Sequence, residues 1–274
     1  MRIFLSFLAT ICGVLAAEVP KEGLLVDLDA RQGVTADAQH RVTKWENQVT
    51  TVPVREFSGQ DKGRKVPGSG LPTLVTDGGF ASVAFRHQEL LCRDEKTFDG
   101  LIQGSGCTWV TLLKVYPQEP GLKDVHSFFG NLRNGSKFEG LWGCVDDENR
   151  IWWGARNGLT FGRFDVNNPK VAGPKLEPDR FYVVGGRLAA GKGNVAIELF
   201  VDDPKAVATG GFPVNPAADA SMLAVGQERD AIQHPGYESF DGEIARFLLW
   251  QRPLSDTELS TVMTTLRATL PSKK

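Results

Sequence analysis

Apolar and polar residues alternate along much of this chain with the period of a β-strand. The clearest run is 195–201, in which every second side chain is apolar and the side chains between them are mixed, so one side of this segment faces a core. The run 244–250 is apolar at almost every position and contains no glycine or proline, which predicts an interior strand covered on both faces. Both runs predict sheets.

Clusters of glycine, proline, asparagine and aspartate separate such runs throughout the chain, and no sustained helical periodicity precedes residue 255. About twelve strands at this spacing require two sheets or a barrel. We therefore predict an all-β fold with one terminal helix. The predicted strands are 24–28, 42–45, 53–57, 82–85, 108–116, 126–129, 140–146, 151–155, 181–187, 195–202, 222–225 and 243–250.

The end of the chain predicts a capped helix. Pro253 ends the preceding strand, and Ser255 followed three residues later by Glu258 has the pattern of a capping box. Apolar residues then recur at helical spacing and give the helix one face that packs on the body of the fold. These residues are Leu259, Val262, Met263, Leu266 and Leu270.

The first 17 residues have the composition of a signal peptide, because Arg2 is followed by an apolar run and then by small residues. A lipoprotein signal is the rival interpretation, since Cys12 lies in the run, but the bulky Ile11 before it disfavours lipidation. No later run is long and apolar enough to span a membrane. We expect a secreted or periplasmic protein, soluble after cleavage, in which residues 18–274 form a single domain.

The charge of the chain excludes some classes of partner. Removal of residues 1–17 takes away one arginine and no acid, which leaves 30 basic and 33 acidic residues and a formal charge of −3. A near-neutral balance without a basic block argues against nucleic acid and against an anionic membrane surface as the main partner. The four histidines are scattered without metal-ligand spacing, so zinc is not supported.

Three cysteines remain after export. An oxidising compartment permits one bridge, and a Cys92–Cys107 disulfide would close a short loop and stabilise the fold by about 3 kcal/mol. Cys144, beside Trp142, would then be buried as a small apolar residue. Three free buried thiols are the equal alternative, because spacing does not fix the pairing.

Three parts of the sequence resemble one family. The segments FDGEIA (240–245) and RPLSDTEL (252–259) look like its closing strand and helix, and LVDLDA (25–30) with VTKWEN (42–47) looks like its opening hairpin. TWVTLL (108–113) looks like its long middle strand. The chain thus resembles the laminin G-like jelly-roll branch, common in bacterial exported proteins, of the concanavalin A-like lectin and glucanase superfamily. The resemblance implies a jelly-roll sandwich of two antiparallel, curved sheets, with a concave face that elsewhere in the superfamily holds sugars.

The chain departs from the glucanases of that superfamily, which carry acidic residues at alternate positions of one strand for acid and nucleophile roles. No such strand occurs here. Glu198 and Asp202 share a strand face without a third acidic partner, and acids at a strand end before proline are usually solvated turn residues. The sequence therefore names no catalytic residue and leans away from an enzyme.

A pair of strands rich in tryptophan is the candidate binding site. Trp142, Trp152 and Trp153 lie on a predicted hairpin, with Arg156 and Asn157 just beyond it. Adjacent Trp152 and Trp153 point to opposite faces, so one is free to stack on a sugar while the other packs in the core. The alternative is that all three tryptophans are packing residues.

Calcium is the cofactor for which the sequence offers oxygen ligands, since laminin G-like domains sometimes bind it. None of the acidic groups has a spaced ligand loop, and solvated turns are the simpler interpretation. The groups are Asp27 with Asp29, Asp146 with Asp147 and Glu148, and Asp202 with Asp203.

These observations favour a noncatalytic, exported module that binds a polysaccharide or a cell-surface partner. Two alternatives remain open. One is a glycan-active hydrolase or lyase on the same sandwich, with acids brought together from different strands. The other is a protein-binding adhesion or scaffold domain, which a flat apolar patch would favour.

Overall fold

The computed structural model describes residues 18–59, 70–120, 124–134, 137–228 and 238–271. The predicted signal peptide, residues 1–17, lies outside these ranges. The described part of the chain is almost entirely β-structure, with one α-helix near its end, as the hydrophobic pattern predicted.

Two antiparallel sheets make up the sandwich. In the first sheet the strand order is β16-β15-β14-β8-β18-β6-β5, and β1 pairs with β18. Its strands are β1 Leu24–Asp29, β5 Thr73–Asp77, β6 Phe80–Arg86, β8 Cys107–Val115, β14 Phe181–Leu188, β15 Asn194–Val201, β16 Ala208–Pro213 and β18 Asp241–Trp250.

The second sheet has the order β13-β12-β11-β9-β17-β7-β4-β3-β2, and β10 pairs with β11. Its strands are β2 Val34–Ala36, β3 Val42–Glu46, β4 Glu56–Gly59, β7 Leu90–Leu91, β9 His126–Gly130, β10 Arg133–Asn134, β11 Phe138–Val145, β12 Arg150–Asn157, β13 Lys170–Lys175 and β17 Ala224–Val225.

Aromatic side chains join the two sheets across the main core. Trp109 of β8 meets Trp153 of β12 edge-on, with ring centroids 5.7 Å apart, and its ring lies 4.9 Å from that of Phe129 on β9. Because Trp109 belongs to the first sheet and the other two residues to the second, this contact closes the sandwich. All three rings are fully buried, where aromatic pairs add to the stabilisation from buried area.

The closing strand and helix follow the prediction. Strand β18 lies between β8 and β6 and is buried along nearly its whole length. Helix α1, Asp256–Ala268, starts at Ser255, whose side chain and that of Glu258 form the reciprocal bonds of a capping box. Its apolar face packs on the outer face of the first sheet, against Leu248 and Trp250. Among the described residues no helix is long and apolar enough to cross a membrane.

The sequence analysis did not predict several strands that lie at sheet edges, are very short, or contain glycine and proline. Strands β13 and β16, at the ends of the two sheets, contain glycine and proline, which the pattern marks as turn signals. Strand β5 is an edge strand with mostly exposed side chains, so its hydrophobic alternation is weak. Strands β2, β7 and β10 have only two or three residues each.

The structure has Cys92, Cys107 and Cys144 as buried, free thiols, whereas the sequence analysis considered a Cys92–Cys107 bridge as well as free thiols. Cys92 follows β7 of the second sheet, whereas Cys107 begins β8 of the first, and both side chains fill the core as small apolar groups. Burial raises the pKa of the Cys92 thiol to about 11 and that of Cys107 to about 12. Burial likewise raises the pKa of Cys144.

Candidate binding site

The tryptophan hairpin places its indoles on two sides of the second sheet. Strands β11 and β12 pair antiparallel, and Trp153 faces the core between the sheets. Trp152 faces the opposite side, as the alternation of a strand requires, and packs there edge-on against Trp142 with ring centroids 4.9 Å apart. All three indoles are buried, so none of them offers an open face to a ligand.

The loop between β12 and β13 covers this outer face and carries the exposed aromatic rings. Phe161 stacks on Phe138 with ring centroids 4.7 Å apart and an interplanar angle of 21°. The side chains of Phe161 and Phe164 remain 60% and 40% exposed, and those of Leu159 and Val166 in the same loop are also exposed. Large apolar side chains in solvent, gathered in one loop, mark an interaction surface.

Hydrogen bonds within the loop fix the positions of these rings. The Asp165 carboxylate accepts bonds from the backbone N–H of Asn167 and Asn168 and from the Thr160 hydroxyl. The buried Asn168 amide donates to the Thr160 hydroxyl, at 3.1 Å, and to the carbonyl oxygen of Gly162, at 2.5 Å. The same bonds hold the pKa of Asp165 below its usual value, with the Thr160 hydroxyl the main cause. The loop is therefore a preformed structure.

Cationic side chains lie against the rings. The Arg156 guanidinium carbon is 4.5 Å from the ring centroid of Phe138 and 4.7 Å from that of Trp142. The Lys170 ammonium nitrogen is 4.4 Å from the Trp152 ring centroid and 4.8 Å from that of Phe164. All four distances are in the range of cation–π contacts.

Asp124 links Lys170 to a third cation, Arg163. Its carboxylate accepts bonds from Arg163, at 2.6 Å, and from Lys170, at 3.2 Å. The Arg163 side chain is about half exposed, and its guanidinium carbon lies over the Phe164 ring, 5.5 Å from the ring centroid. We call this surface the aromatic face, defined as Phe138, Trp142, Trp152, Arg156, Phe161, Arg163, Phe164 and Lys170.

Asn157 is an anchor of the loop. Its side-chain amide donates to the Pro213 carbonyl at the end of β16, and its amide oxygen accepts a bond from the backbone N–H of Leu159. The residue is fully buried. Of the five residues singled out from the sequence, Trp142, Trp152 and Arg156 thus meet on the outer face, Asn157 holds the loop, and Trp153 belongs to the core.

Sequence reasoning missed Phe161 and Phe164, because a segment rich in glycine and asparagine has no periodicity that separates exposed from buried positions. The available signal was compositional. Four large apolar residues occur within eight positions of a segment with the turn signals of a loop. A loop that needed only to connect two strands would be polar.

Two further glutamates are buried. Glu89 lies directly before β7 of the second sheet. Glu228 flanks Trp142, since a methyl group placed on Gly130 would lie 3.2 Å from the Cβ atoms of both residues. The sequence analysis singled out neither acid, because both lie in irregular segments beside short strands.

Three other acids that the sequence analysis considered are engaged in structural contacts. Glu198 accepts a bond from Arg187 at 2.6 Å, and Asp202 accepts one from Arg180 at 2.6 Å, so the strand pair noted in the sequence consists of two separate ion pairs. Asp27 forms a bidentate pair with Arg246. Among the residues that the structure describes, no three His, Cys, Asp or Glu side chains gather as metal ligands.

Glu243, in the closing strand, is the centre of a buried polar group. Its carboxylate accepts bonds from Ser82 at 2.6 Å and Lys114 at 2.7 Å, and from the Tyr116 hydroxyl. Burial alone would raise the pKa of Glu243, but the three donors outweigh it and hold the pKa below its usual value. Burial and the bond to Glu243 raise the pKa of Tyr116, which keeps the phenol protonated.

Comparison with known proteins found similar folds among solved structures but no family to which the chain can be assigned. No family model and no curated protein matches the chain. Trypanosoma rangeli sialidase in complex with 2,3-difluorosialic acid superposes with a TM-score of 0.60 at 15% identity, covering 96% of this chain and 36% of the sialidase. The same enzyme in complex with sialic acid gives a TM-score of 0.58 at 15% identity, covering 92% and 34%.

The binding domain of Paraclostridial Mosquitocidal Protein 1 gives a TM-score of 0.54 at 10% identity, covering 89% of this chain and 52% of that one. The likeness is one of fold. This chain spans about a third of the sialidase and about half of the mosquitocidal binding domain. These neighbours are consistent with a jelly-roll, lectin-like sandwich.

Proposed function

We propose that this protein is a noncatalytic glycan-binding module and that its ligand contacts the aromatic face. One observation carries the proposal: two phenylalanine rings stand 60% and 40% exposed on a loop that internal hydrogen bonds hold in place. An exposed ring with a fixed position can stack on the apolar C–H face of a sugar without a large loss of side-chain freedom on binding.

Each layer of the aromatic face has a role in this proposal. Phe161 and Phe164 stack on the sugar, and the half-exposed Arg163 donates hydrogen bonds to its oxygen atoms. Trp142, Trp152 and Arg156 form the buried layer on which the loop rests, and Asn157 fixes the start of the loop. The tryptophans therefore support binding without touching the ligand.

The family of the protein and its location outside the cytoplasm are part of the same proposal. The motifs at both ends of the chain support membership of the laminin G-like branch of the concanavalin A-like superfamily. The N-terminal composition supports export to the periplasm or beyond, where polysaccharides and cell-surface glycans are found. Two of the compared structures are sialidases bound to sialic acid or its analogue, which supports a glycan as the partner.

A glycan-active enzyme is the second candidate, favoured by two buried glutamates, Glu89 and Glu228, of which Glu228 flanks Trp142 on the outer face. Glycoside cleavage needs two carboxyl groups that flank the scissile bond. The test is incubation of the protein, and of Glu89→Gln and Glu228→Gln variants, with any glycan that it retains, followed by mass spectrometry. Cleavage by the protein but by neither variant would establish the enzyme, and intact glycan supports the binding module.

A glycan array tests the proposed function directly. The protein is applied with and without calcium, beside a Phe161→Ala/Phe164→Ala variant and a matched control, Val207→Ala, which removes an exposed apolar side chain outside the loop. We expect retention of at least one class of glycan by the protein and the control, and loss of that signal in the double variant. Retention of no glycan under either condition contradicts the proposal.

A further inference from the structure

We propose that the cleft between the start of β14 and the end of α1 binds a neutral saccharide unit, which gives the protein a second glycan site. The cleft lies against the first sheet and its helix, whereas the aromatic face lies on the second sheet. The proposal does not depend on the first site. It rests on the shape, the charge balance and the fixed side chains of the cleft.

The cleft has the size of a small-ligand site. Its volume is about 910 Å³, and it is open to solvent on one side. Phe181 contributes an aromatic ring to its lining, and Leu270 and Pro271 form an apolar wall after the helix. Ligand sites of a few hundred to a thousand cubic ångströms with apolar walls and a few polar groups are typical of small molecules.

Asp202 holds the polar groups of the cleft in place. Its carboxylate accepts bonds from Arg180 Nη2 at 2.6 Å and from the Val183 backbone N–H at 3.0 Å. Its backbone carbonyl accepts a bond from Arg267 Nη2, and its Oδ1 atom lies 3.5 Å from the same nitrogen. One residue thus ties β14, the turn after β15 and the last turn of α1 together.

Both guanidinium groups keep donors for a ligand. The Arg180 and Arg267 side chains are 62% and 50% exposed although each is tethered to Asp202. An arginine has five N–H donors, and the contacts to Asp202 use Nη2 of each. Tethered, half-exposed donors lose little freedom when they bind a ligand.

The charge of the cleft favours a neutral ligand. The two arginines are balanced by two carboxylates, Asp202 and the exposed Asp179, so the lining has no net attraction for an anion. Sugar hydroxyl groups can donate to a carboxylate and accept from a guanidinium, and the flat C–H face of a sugar can pack on the Phe181 ring. A neutral saccharide unit uses all three kinds of group.

Two separate sites have a consequence for binding to polymers. A molecule with one glycan site on each side can bridge two chains of a polysaccharide or bind one surface at two points. The second contact is then made at a high effective concentration, which raises the overall affinity without any new residue.

Nuclear magnetic resonance tests the site with defined probes. Glucose, galactose, mannose and N-acetylglucosamine are titrated separately, and the amide signals of Phe181, Val183 and Asp202 are followed. We expect saturable shifts at these amides with at least one sugar. The Arg180→Gln variant should weaken that binding about tenfold, because it removes a charged hydrogen-bond donor.

Two controls make the result specific. Arg150→Gln alters a similarly exposed arginine on the second sheet and should leave the titration unchanged. Sodium sulfate, as an anion without a sugar ring, is the second control. The proposal is overturned if none of the four sugars gives saturable shifts, or if Arg180→Gln binds as well as the unaltered protein. It is also overturned if sodium sulfate saturates the same amides more tightly than any sugar, because the cleft is then an anion site.

Discussion

The ring of Phe164 meets the indole of Trp152 edge-on, with ring centroids 5.5 Å apart and an interplanar angle of 89°. Trp152 is buried and Phe164 is 40% exposed, so an exposed ring of the loop rests directly on a buried side chain of the sheet. The β11–β12 hairpin that the sequence analysis singled out thus supplies the buried layer, and the β12–β13 loop supplies the exposed rings that pack on it.

Trp153 should be essential for stability. Its indole is fully buried between the sheets, and its N–H donates to the Glu198 carbonyl at 2.8 Å. We expect Trp153→Ala to lower the free energy of unfolding by about 3–5 kcal/mol, as large cavities in cores do. Urea unfolding followed by circular dichroism measures the change. A loss below about 1 kcal/mol would show that Trp153 is not a core residue.

Asn168 should order the loop without touching a ligand. Its buried amide bonds to the half-buried Thr160 and Gly162, and Asn168→Ala removes these bonds, at a cost of about 0.5–1.5 kcal/mol for each. We expect faster amide exchange across the β12–β13 loop and weaker glycan retention, with unchanged exchange in β8. Unchanged exchange in the loop would show that other contacts hold it.

Glu243 should make stability depend on pH on the acid side. Its pKa is held below the usual value near 4.5 in the folded protein, so the stability that it contributes is fully present above that pH. This contribution is lost as pH falls through the lowered pKa. The unfolding free energy of Glu243→Gln should therefore fall short of that of the unaltered protein at pH 7, and the gap should narrow below about pH 4.5. A gap of constant size from pH 7 to pH 3 would contradict the ionised state of Glu243.

The thiols of Cys92, Cys107 and Cys144 should not react in the folded state. Burial removes them from reagents and raises their pKa values, so little thiolate exists at pH 8. We expect no alkylation by iodoacetamide in native buffer and full alkylation of all three after unfolding without a reductant, as read by peptide mapping. A Cys92–Cys107 disulfide peptide in the unfolded, unreduced sample would contradict this expectation and would support the bridge considered from the sequence.

The fold could be predicted from the sequence only for those elements whose burial produces a recognisable pattern of apolar residues. The closing strand β18 is covered on both faces and carries a continuous apolar run, and α1 has an explicit capping box, so both could be predicted. Edge strands such as β13 and β16 carry glycine and proline and have one open side, which leaves no pattern to detect.

The binding site was predictable only in part, for a related reason. Alternation along one strand separated Trp152 from Trp153, since that rule is local. The packing of Phe161 on Phe138 joins residues from a strand and from an irregular loop, and no local rule encodes it. The position of Glu228 beside Trp142 likewise depends on the pairing of β9 with β11 and with β17, which no local rule predicts.

The central claim is that the aromatic face binds a glycan through Phe161 and Phe164. The most direct test is isothermal titration calorimetry with a glycan retained on the array, applied to the protein, the Phe161→Ala/Phe164→Ala variant and Val207→Ala. We predict that the double variant unfolds at nearly the same urea concentration as the protein and binds at least about tenfold more weakly, since each ring contributes about 1 kcal/mol of contact. Val207→Ala should bind as the protein does. Equal affinity of the folded double variant and the protein would contradict the claim.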